Sequence, residues 1–105
     1  MSDSAFESLA DSLLAALEEG LGDHVDAELQ GGILTVDGDA NGGEGTWIVN
    51  KHAPTKQIWL SSPKSGARHY AFDAGSGHWQ DTRGGADLLA HLSAELGVAL
   101  QWQAP

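Results

Sequence analysis

The chain has no cysteine among its 105 residues, only five Lys and Arg, and few catalytic signatures. Without thiols it has no disulfides, thiolate zinc sites, cysteine nucleophiles or cysteine-held clusters. No apolar run approaches the roughly 18 residues that a membrane helix needs. The first residues lack the basic or arginine-rich character of secretory and transit segments, so we expect neither.

Positive charge is scarce and unevenly placed. Fifteen Asp and Glu against five Lys and Arg give a formal net charge of −10, which argues against general binding of nucleic acid or anionic membranes. Residues 1–50 contain no Lys or Arg, and all five basic residues lie within 51–83. Hydrophobic residues make up 41% of the chain, which is enough for a core and argues against disorder.

The hydrophobic pattern predicts a helix, a run of strands and a second helix. The first helix runs from Ser2 or Asp3 to about Gly20, with an apolar stripe of Phe6, Leu9, Leu13 and Leu17. The alternation of apolar and polar residues, with turn residues between, predicts six strands at 25–30, 33–36, 47–51, 57–61, 69–73 and 78–80. A polar loop is expected at 37–45, a second helix at 86–96, and a tail at 98–102 that packs back onto the domain. We therefore expect one α+β domain over 1–105, with both helices on one face of an antiparallel sheet of five to six strands.

Clustered acids occupy the first helix and the first strand. Four carboxylates fall within roughly 80° of the helix surface, and two more point outward from the strand if its apolar residues face the core. Two others lie in the connection, beside His24. We call these eight carboxylates the acidic ridge: Asp3, Glu7, Asp11, Glu18, Glu19, Asp23, Asp26 and Glu28.

The acidic ridge has two interpretations. It is either a solvated face with no ligand or a binding surface for hard cations such as Fe³⁺, Mg²⁺, Mn²⁺ or Ca²⁺, with His24 adding a nitrogen ligand for iron. Because no neighbouring segment encloses a cation, we expect any such site to be open, weak and poorly selective.

The segment 37–42 matches the first half of a calcium-binding loop, Asp-x-Asp-x-Asn-Gly. The bidentate Glu required at the twelfth position is replaced by Ile48. We interpret the segment as an acidic turn.

Trp59 marks a second candidate surface. In the strand 57–61, Ile58 and Leu60 share one face, and Trp59 shares the other with Gln57 and Ser61. If the aliphatic pair faces the helices, Trp59 lies on the exposed face beside Asn50, framed by Lys56 and Arg68, as in many interface anchors. The alternative is a Trp covered by loops or by the tail. We assign Trp47 and Trp79 to the core.

Signatures of enzymes are missing. The chain has no Gly-x-Ser-x-Gly, Gly-x-Gly-x-x-Gly, P-loop or His-Glu-x-x-His motif. The five histidines (24, 52, 69, 78 and 91) show no ligand spacing. We expect no enzyme activity.

One long motif resembles a known family. The run Asn50-Lys-His-Ala-Pro-Thr-Lys-Gln-Ile-Trp-Leu-Ser-Ser-Pro-Lys-Ser-Gly66 resembles the frataxin signature Asn-Lys-Gln-x-Pro-x-x-Gln-Ile-Trp-Leu-Ser-Ser-Pro. The segment 31–36, the positions of Tyr70 and Trp79, and the acidic first helix are also similar to that family. Two positions depart from the family's pattern: His52 stands where Gln is frequent, and His69 replaces a basic residue before Tyr70.

The resemblance implies a frataxin-like α-β sandwich and a role in iron–sulfur cluster assembly. Frataxins bind iron on an acidic ridge and contact the cysteine desulfurase and the scaffold protein. By position, the implied iron ligands are Asp11, Glu18, Glu19, Asp23, Asp26 and Glu28. The implied partner contacts are Asn50, Lys56, Gln57 and Trp59.

Three functions stay open at this point. The first is an iron-binding accessory protein that presents Fe²⁺ or Fe³⁺ to the desulfurase–scaffold complex, or regulates it. The second is an acidic interaction module without a physiological metal, and the third is a weak ferroxidase. The resemblance is to the bacterial type of the family, so we expect a cytoplasmic protein, monomeric, with iron-dependent oligomers as an alternative.

Overall fold

The computed structural model describes residues 1–40 and 43–105 and contains two helices and six strands. The helices are α1 (Asp3–Gly22) and α2 (Leu88–Leu96). The strands are β1 (Asp26–Gln30), β2 (Ile33–Ala40), β3 (Gly43–His52), β4 (Gln57–Ser62), β5 (Gly66–Asp73) and β6 (His78–Asp81). None of the helices among these residues is long and apolar enough to cross a membrane.

The six strands form one antiparallel meander in the order β1-β2-β3-β4-β5-β6. The inward side chains of the sheet and the apolar stripes of both helices form one buried cluster, which includes Trp47 and Trp79. The opposite face of the sheet is exposed, and Ile33 and Ile48 lie on it at 43% and 40% exposure. The expected α+β sandwich is confirmed, as is the core position of both Trp residues.

The first helix is longer than its sequence pattern predicts. The Ser2 hydroxyl accepts the Ala5 N–H at 3.1 Å and begins the helix, while Leu21 is fully buried and carries the helix past Gly20 to Gly22. Leu9 of the predicted stripe is only partly buried, and Ala10 and Leu14 are fully buried beside it.

The predicted polar loop at 37–45 is wrong. Strand β2 continues to Ala40 and β3 begins at Gly43, with Asp37 opposite Thr46 and Asp39 opposite Glu44. The pairing of the two strands outweighs the weak strand preference of these residues. Gly38 has a packing role here, because a Cβ at this position would lie 3.2 Å from the Trp47 ring. The calcium-like segment extends to Asn41 and Gly42, which lie outside the described residues.

The tail returns to the domain, as expected. The Trp102 indole N–H donates to the Ser12 hydroxyl at 3.1 Å, and its ring lies at 6.1 Å from the Phe72 ring and 6.2 Å from the Trp79 ring, measured between centroids. The tail therefore fastens α1 to the far end of the sheet.

A polar network joins α2 to the turn between β4 and β5. The Glu95 carboxylate accepts the Ser62 hydroxyl at 2.7 Å and the Trp47 indole N–H at 3.1 Å, and lies 3.2 Å from His91 Nε2. Burial disfavours its charge, but the hydrogen bonds from Ser62 and Trp47 outweigh this and lower the pKa of Glu95. The side chain is only 12% exposed, so the network fixes the Ser62 turn in a nearly dry environment.

We expect Glu95→Gln to lower the free energy of unfolding by about 1–2 kcal/mol at neutral pH, because it weakens hydrogen bonds to a charged acceptor. A carboxylate whose folded pKa lies below its unfolded value stabilises above the unfolded pKa, and that stability is lost as pH falls through the folded pKa. Urea unfolding should therefore show a difference from wild type that is constant at neutral pH and shrinks below the ordinary pKa of 4.5. The exposed Glu44→Gln is the control, expected within about 0.5 kcal/mol of wild type. Identical curves for Glu95→Gln and wild type at neutral pH would refute the role of the network.

Candidate functional site

The acidic ridge is divided by two lysines that come from distant segments. Lys51 of β3 forms ion pairs with Glu7 and, at 2.7 Å, with Asp11. Lys56 lies 3.1 Å from Asp3. The hydrogen bonds to Asp11 and Glu7 raise the pKa of Lys51. Although residues 1–50 contain no Lys or Arg, the N-terminal half of the ridge is neutralised in part, because strand pairing brings β3 beneath α1.

The C-terminal half of the ridge has no such partner. None of the ion pairs among residues 1–40 and 43–105 reaches Glu18, Glu19, Asp23, Asp26 or Glu28. We call these five carboxylates the open ridge. Four of them are exposed and Glu18 is half-buried. Together with Asp37, Asp39 and Glu44, which these ion pairs also leave out, they carry the uncompensated negative charge of the N-terminal region.

Glu18 ties the helix to the free edge of the sheet. Its carboxylate accepts the backbone N–H of Leu29 at 2.8 Å. Within residues 1–40 and 43–105, strand β1 pairs with β2 alone. Glu18 therefore satisfies a donor on the unpaired edge, which would otherwise be open to another strand. One oxygen of Glu18 is thereby engaged within the protein.

The open ridge wraps around the edge of the sheet. Asp26 and Glu28 are exposed on the face of β1 opposite α1, whereas Ala27 and Leu29 pack toward the core. A shallow depression of about 470 Å³ brings Asp23, His24 and Asp26 together with Asp37. Asp37 lies directly opposite Asp26 in the strand register, a neighbour that only the pairing of β1 with β2 reveals.

No compact metal cage is present in the part of the chain that the structure describes. Groups of three or more Asp, Glu, His or Cys side chains that could hold a metal ion do not occur there. A second cleft of about 780 Å³ is lined by Asp26, Asp37, Asp39 and Glu44. Cations would therefore meet an open carboxylate surface with no enclosing ligand set.

The environment of Trp59 differs from a simple exposed anchor. Ile58 and Leu60 are buried and Trp59 faces the other side opposite Asn50, as the alternation predicts. The indole is half-buried between two histidines. Its ring centroid lies 3.7 Å from that of His52 and 4.3 Å from that of His69, and the interplanar angles are 12° and 10°. The indole N–H donates to Gln57 Oε1 at 2.9 Å.

The expected position of Arg68 beside Trp59 is wrong. Arg68 is paired in register with the buried Leu60 and not with Trp59, so its side chain leaves the sheet on the side of the helices. Its guanidinium lies 3.0 Å from the buried carboxylate of Asp81. The backbone N–H of Arg83, at 2.8 Å, and this guanidinium lower the pKa of Asp81. His69 instead takes the place beside Trp59.

Lys56 ends the turn before β4 in an unusual backbone conformation. Its φ is +54°, in the left-handed region that few side chains other than Gly and Asn adopt readily. Its ion pair with Asp3 anchors it toward α1. The Trp59 face therefore consists of His52, Asn50, Gln57, Trp59 and His69, with Lys56 at its margin.

The Ser65–His91–Glu95 cluster has the residue types of a hydrolytic triad but a different geometry. The Ser65 hydroxyl lies 2.9 Å from His91 Nε2, and Glu95 lies 3.2 Å from the same nitrogen. In a triad the acid holds the other ring nitrogen, which orients the base toward the nucleophile. The cluster is a structural link between α2 and the turn.

Comparison with known proteins identifies the class. Residues 1–102 match the family described as Frataxin-like domain. The chain is similar to a solved frataxin from Psychromonas ingrahamii, with a TM-score of 0.76 at 33% identity over 90% of this chain and 87% of that one. The chain belongs to the frataxin family, as the long motif around Trp59 predicts.

Two relatives show how far the similarity extends. The "Iron-sulfur cluster assembly protein CyaY" of Delftia acidovorans is 35% identical over an alignment of 115 positions that covers 99% of each chain. The mitochondrial frataxin homolog of Schizosaccharomyces pombe is 37% identical over 90% of this chain, which spans 58% of that protein. The chain thus matches nearly all of the bacterial relative and a part of the mitochondrial one.

Proposed function

We propose that this chain is an accessory protein of iron–sulfur cluster assembly that presents iron to a cysteine desulfurase–scaffold complex or regulates it. The observation that carries the proposal is the open ridge, a carboxylate surface without neutralising partners, in a chain of the frataxin family. The relative from Delftia acidovorans, named for cluster assembly, supports the pathway. The proposal treats 1–105 as one domain that acts as a monomer in the bacterial cytoplasm.

Iron enters this proposal as cargo and not as a resident cofactor. Carboxylate oxygens suit Fe³⁺ and Fe²⁺, and His24 offers a nitrogen at the same edge. Because the surface is open and Glu18 is partly engaged by Leu29, binding is weak and reversible, as a protein that delivers iron requires. Asp11 is among the iron ligands that the resemblance implies, but its contact with Lys51 makes it a poorer ligand than the carboxylates of the open ridge.

The partner surface in this proposal is the sheet face around Trp59. Asn50, Gln57 and Trp59 lie on adjacent strands in register, and Lys56 is at the margin. Arg68 is not part of this surface, because its side chain lies on the opposite side of the sheet and pairs with Asp81. The acidic ridge supplies long-range attraction toward a basic region of the desulfurase.

A metal-independent interaction module is the second candidate. It is favoured by the lack of a compact ligand set among the described residues. In that case the ridge recognises a basic protein surface only, and iron changes nothing in the complex. The two candidates are separated by measuring iron binding and partner binding on the same variants.

We expect anaerobic Fe²⁺ to broaden the amide NMR signals of residues 18–28 first, because uncompensated carboxylates attract the cation most strongly. Glu19→Gln with Asp23→Asn should weaken the effect several-fold. The matched control Glu7→Gln, in the half of the ridge held by Lys51, should change it little. Broadening confined to other residues would contradict the assignment of the open ridge as the iron surface.

We expect Trp59→Ala to weaken binding to the desulfurase–scaffold complex by about 2 kcal/mol or more, in the range of interface hot spots. Isothermal titration calorimetry with and without Fe²⁺ measures the effect, and the exposed Gln80→Ala on the same face is the control. Glu19→Lys with Asp23→Lys should weaken binding at low salt in either candidate. A dependence on iron in the wild type favours the iron-presenting function, and unchanged binding of Trp59→Ala would remove the sheet face from the proposal.

A further inference from the structure

The three-ring stack on the Trp59 face limits how a partner can use this tryptophan. His52 and His69 cover both faces of the indole, and its N–H is bound to Gln57. A partner therefore cannot stack on the indole itself. It meets the edge of the stack and the outer faces of the two imidazoles.

The imidazoles are positioned to offer polar edges. Nδ1 of His52 contacts the Thr55 hydroxyl at 2.8 Å, which orients the ring and leaves Nε2 for another group. Among residues 1–40 and 43–105, no hydrogen bond to the ring of His69 is formed. Beside the stack lies an apolar groove of about 210 Å³ between Ile48 and Ala67, whose lining contains no carboxylate.

The charged side chains nearest to the stack lie on the helix side of the sheet or on other parts of the exposed face. On the turn, Lys56 is paired with Asp3 of α1. On the helix side of the sheet, Lys51 and Arg68 are paired with carboxylates there. Two other titratable groups of the same face are Asp73 on β5 and His78 on β6, which are opposite each other in register. The face also carries carboxylates on β1, β2 and the start of β3: Asp26, Glu28, Asp37, Asp39 and Glu44.

We propose that protonation of His52 and His69 converts the Trp59 face from a neutral aromatic surface into a cationic one that docks an acidic segment of a protein partner. The inference rests on the proposed function, because it concerns the regulation of the same docking face. Histidine ordinarily changes charge between about pH 5 and 8. An imidazolium stacked on an indole is stabilised by a cation–π interaction, so the stack is retained when both rings gain charge.

The occupant is a segment with carboxylates on either side of an apolar side chain. The carboxylates accept charge-assisted hydrogen bonds from the outward ring nitrogens, and the apolar side chain enters the groove between Ile48 and Ala67. In a chain of net charge −10, most of the surface repels such a segment. The protonated stack gives it a defined place to bind.

The test measures the affinity of the full chain for the desulfurase–scaffold complex at about pH 6 and pH 8, on either side of the ordinary titration of histidine. We expect the wild type to bind roughly three- to tenfold more tightly at the lower pH, the effect of one or two exposed ion pairs. His52→Gln with His69→Gln should abolish this pH dependence. His69→Arg, which fixes one charge, should bind more tightly than wild type at the higher pH.

His78→Gln is the matched control, since it removes a histidine of the same face outside the stack, and it should keep the wild-type pH profile. A flat profile in the wild type, or the same slope in the double variant, overturns the inference. If the wild type binds without pH dependence while Trp59→Ala fails to bind, the docking face stands and only the role of protonation is lost. If the wild type fails to bind at either pH, the proposed function and this inference are both overturned.

Discussion

The structure depends on which of its fifteen acidic residues are paired with its five basic residues. The structure uses Lys51 and Lys56 to hold the first turns of α1 against β3 and the following turn, and Arg68 to neutralise the buried Asp81. These pairs stabilise the packing of helix on sheet. Since none of the ion pairs in the described residues reaches the end of α1 or β1, the five carboxylates of the open ridge are left without a cationic partner at one edge. The few basic side chains therefore stabilise the fold, and the carboxylates that they do not reach form the candidate iron surface.

The sheet separates two surfaces with different chemistry. Its edge strand β1 carries Asp26 and Glu28, and its middle strand β4 carries Trp59 on the same exposed face. Between them, β2 and β3 contribute the exposed Ile33 and Ile48. A partner that covers this face would contact an aromatic region at one side and carboxylates at the other, which supplies both an anchor and an orientation.

Local pattern was enough to predict the helices, the core position of Trp47 and Trp79, and the side of the sheet on which Trp59 lies. It failed where strand pairing decides the outcome. The polar residues at 37–40 are a strand because β3 pairs with them, and the salt bridges of Lys51 join residues 40 and 44 positions apart. The stack of His52, Trp59 and His69 depends on the register of three strands, which spacing along the chain does not reveal. The family motif predicted the fold, but the position of Arg68 shows that a shift of one residue moves a side chain to the other face.

The dependence of the melting temperature on salt tests most directly whether the fold carries uncompensated carboxylates whose repulsion cations relieve. At matched ionic strength, MgCl₂ and NaCl screen general repulsion alike, but only the divalent cation also binds between neighbouring carboxylates. The account predicts a melting temperature that rises with ionic strength in both salts and rises further in MgCl₂. A melting temperature that stays flat or falls in both salts would contradict it.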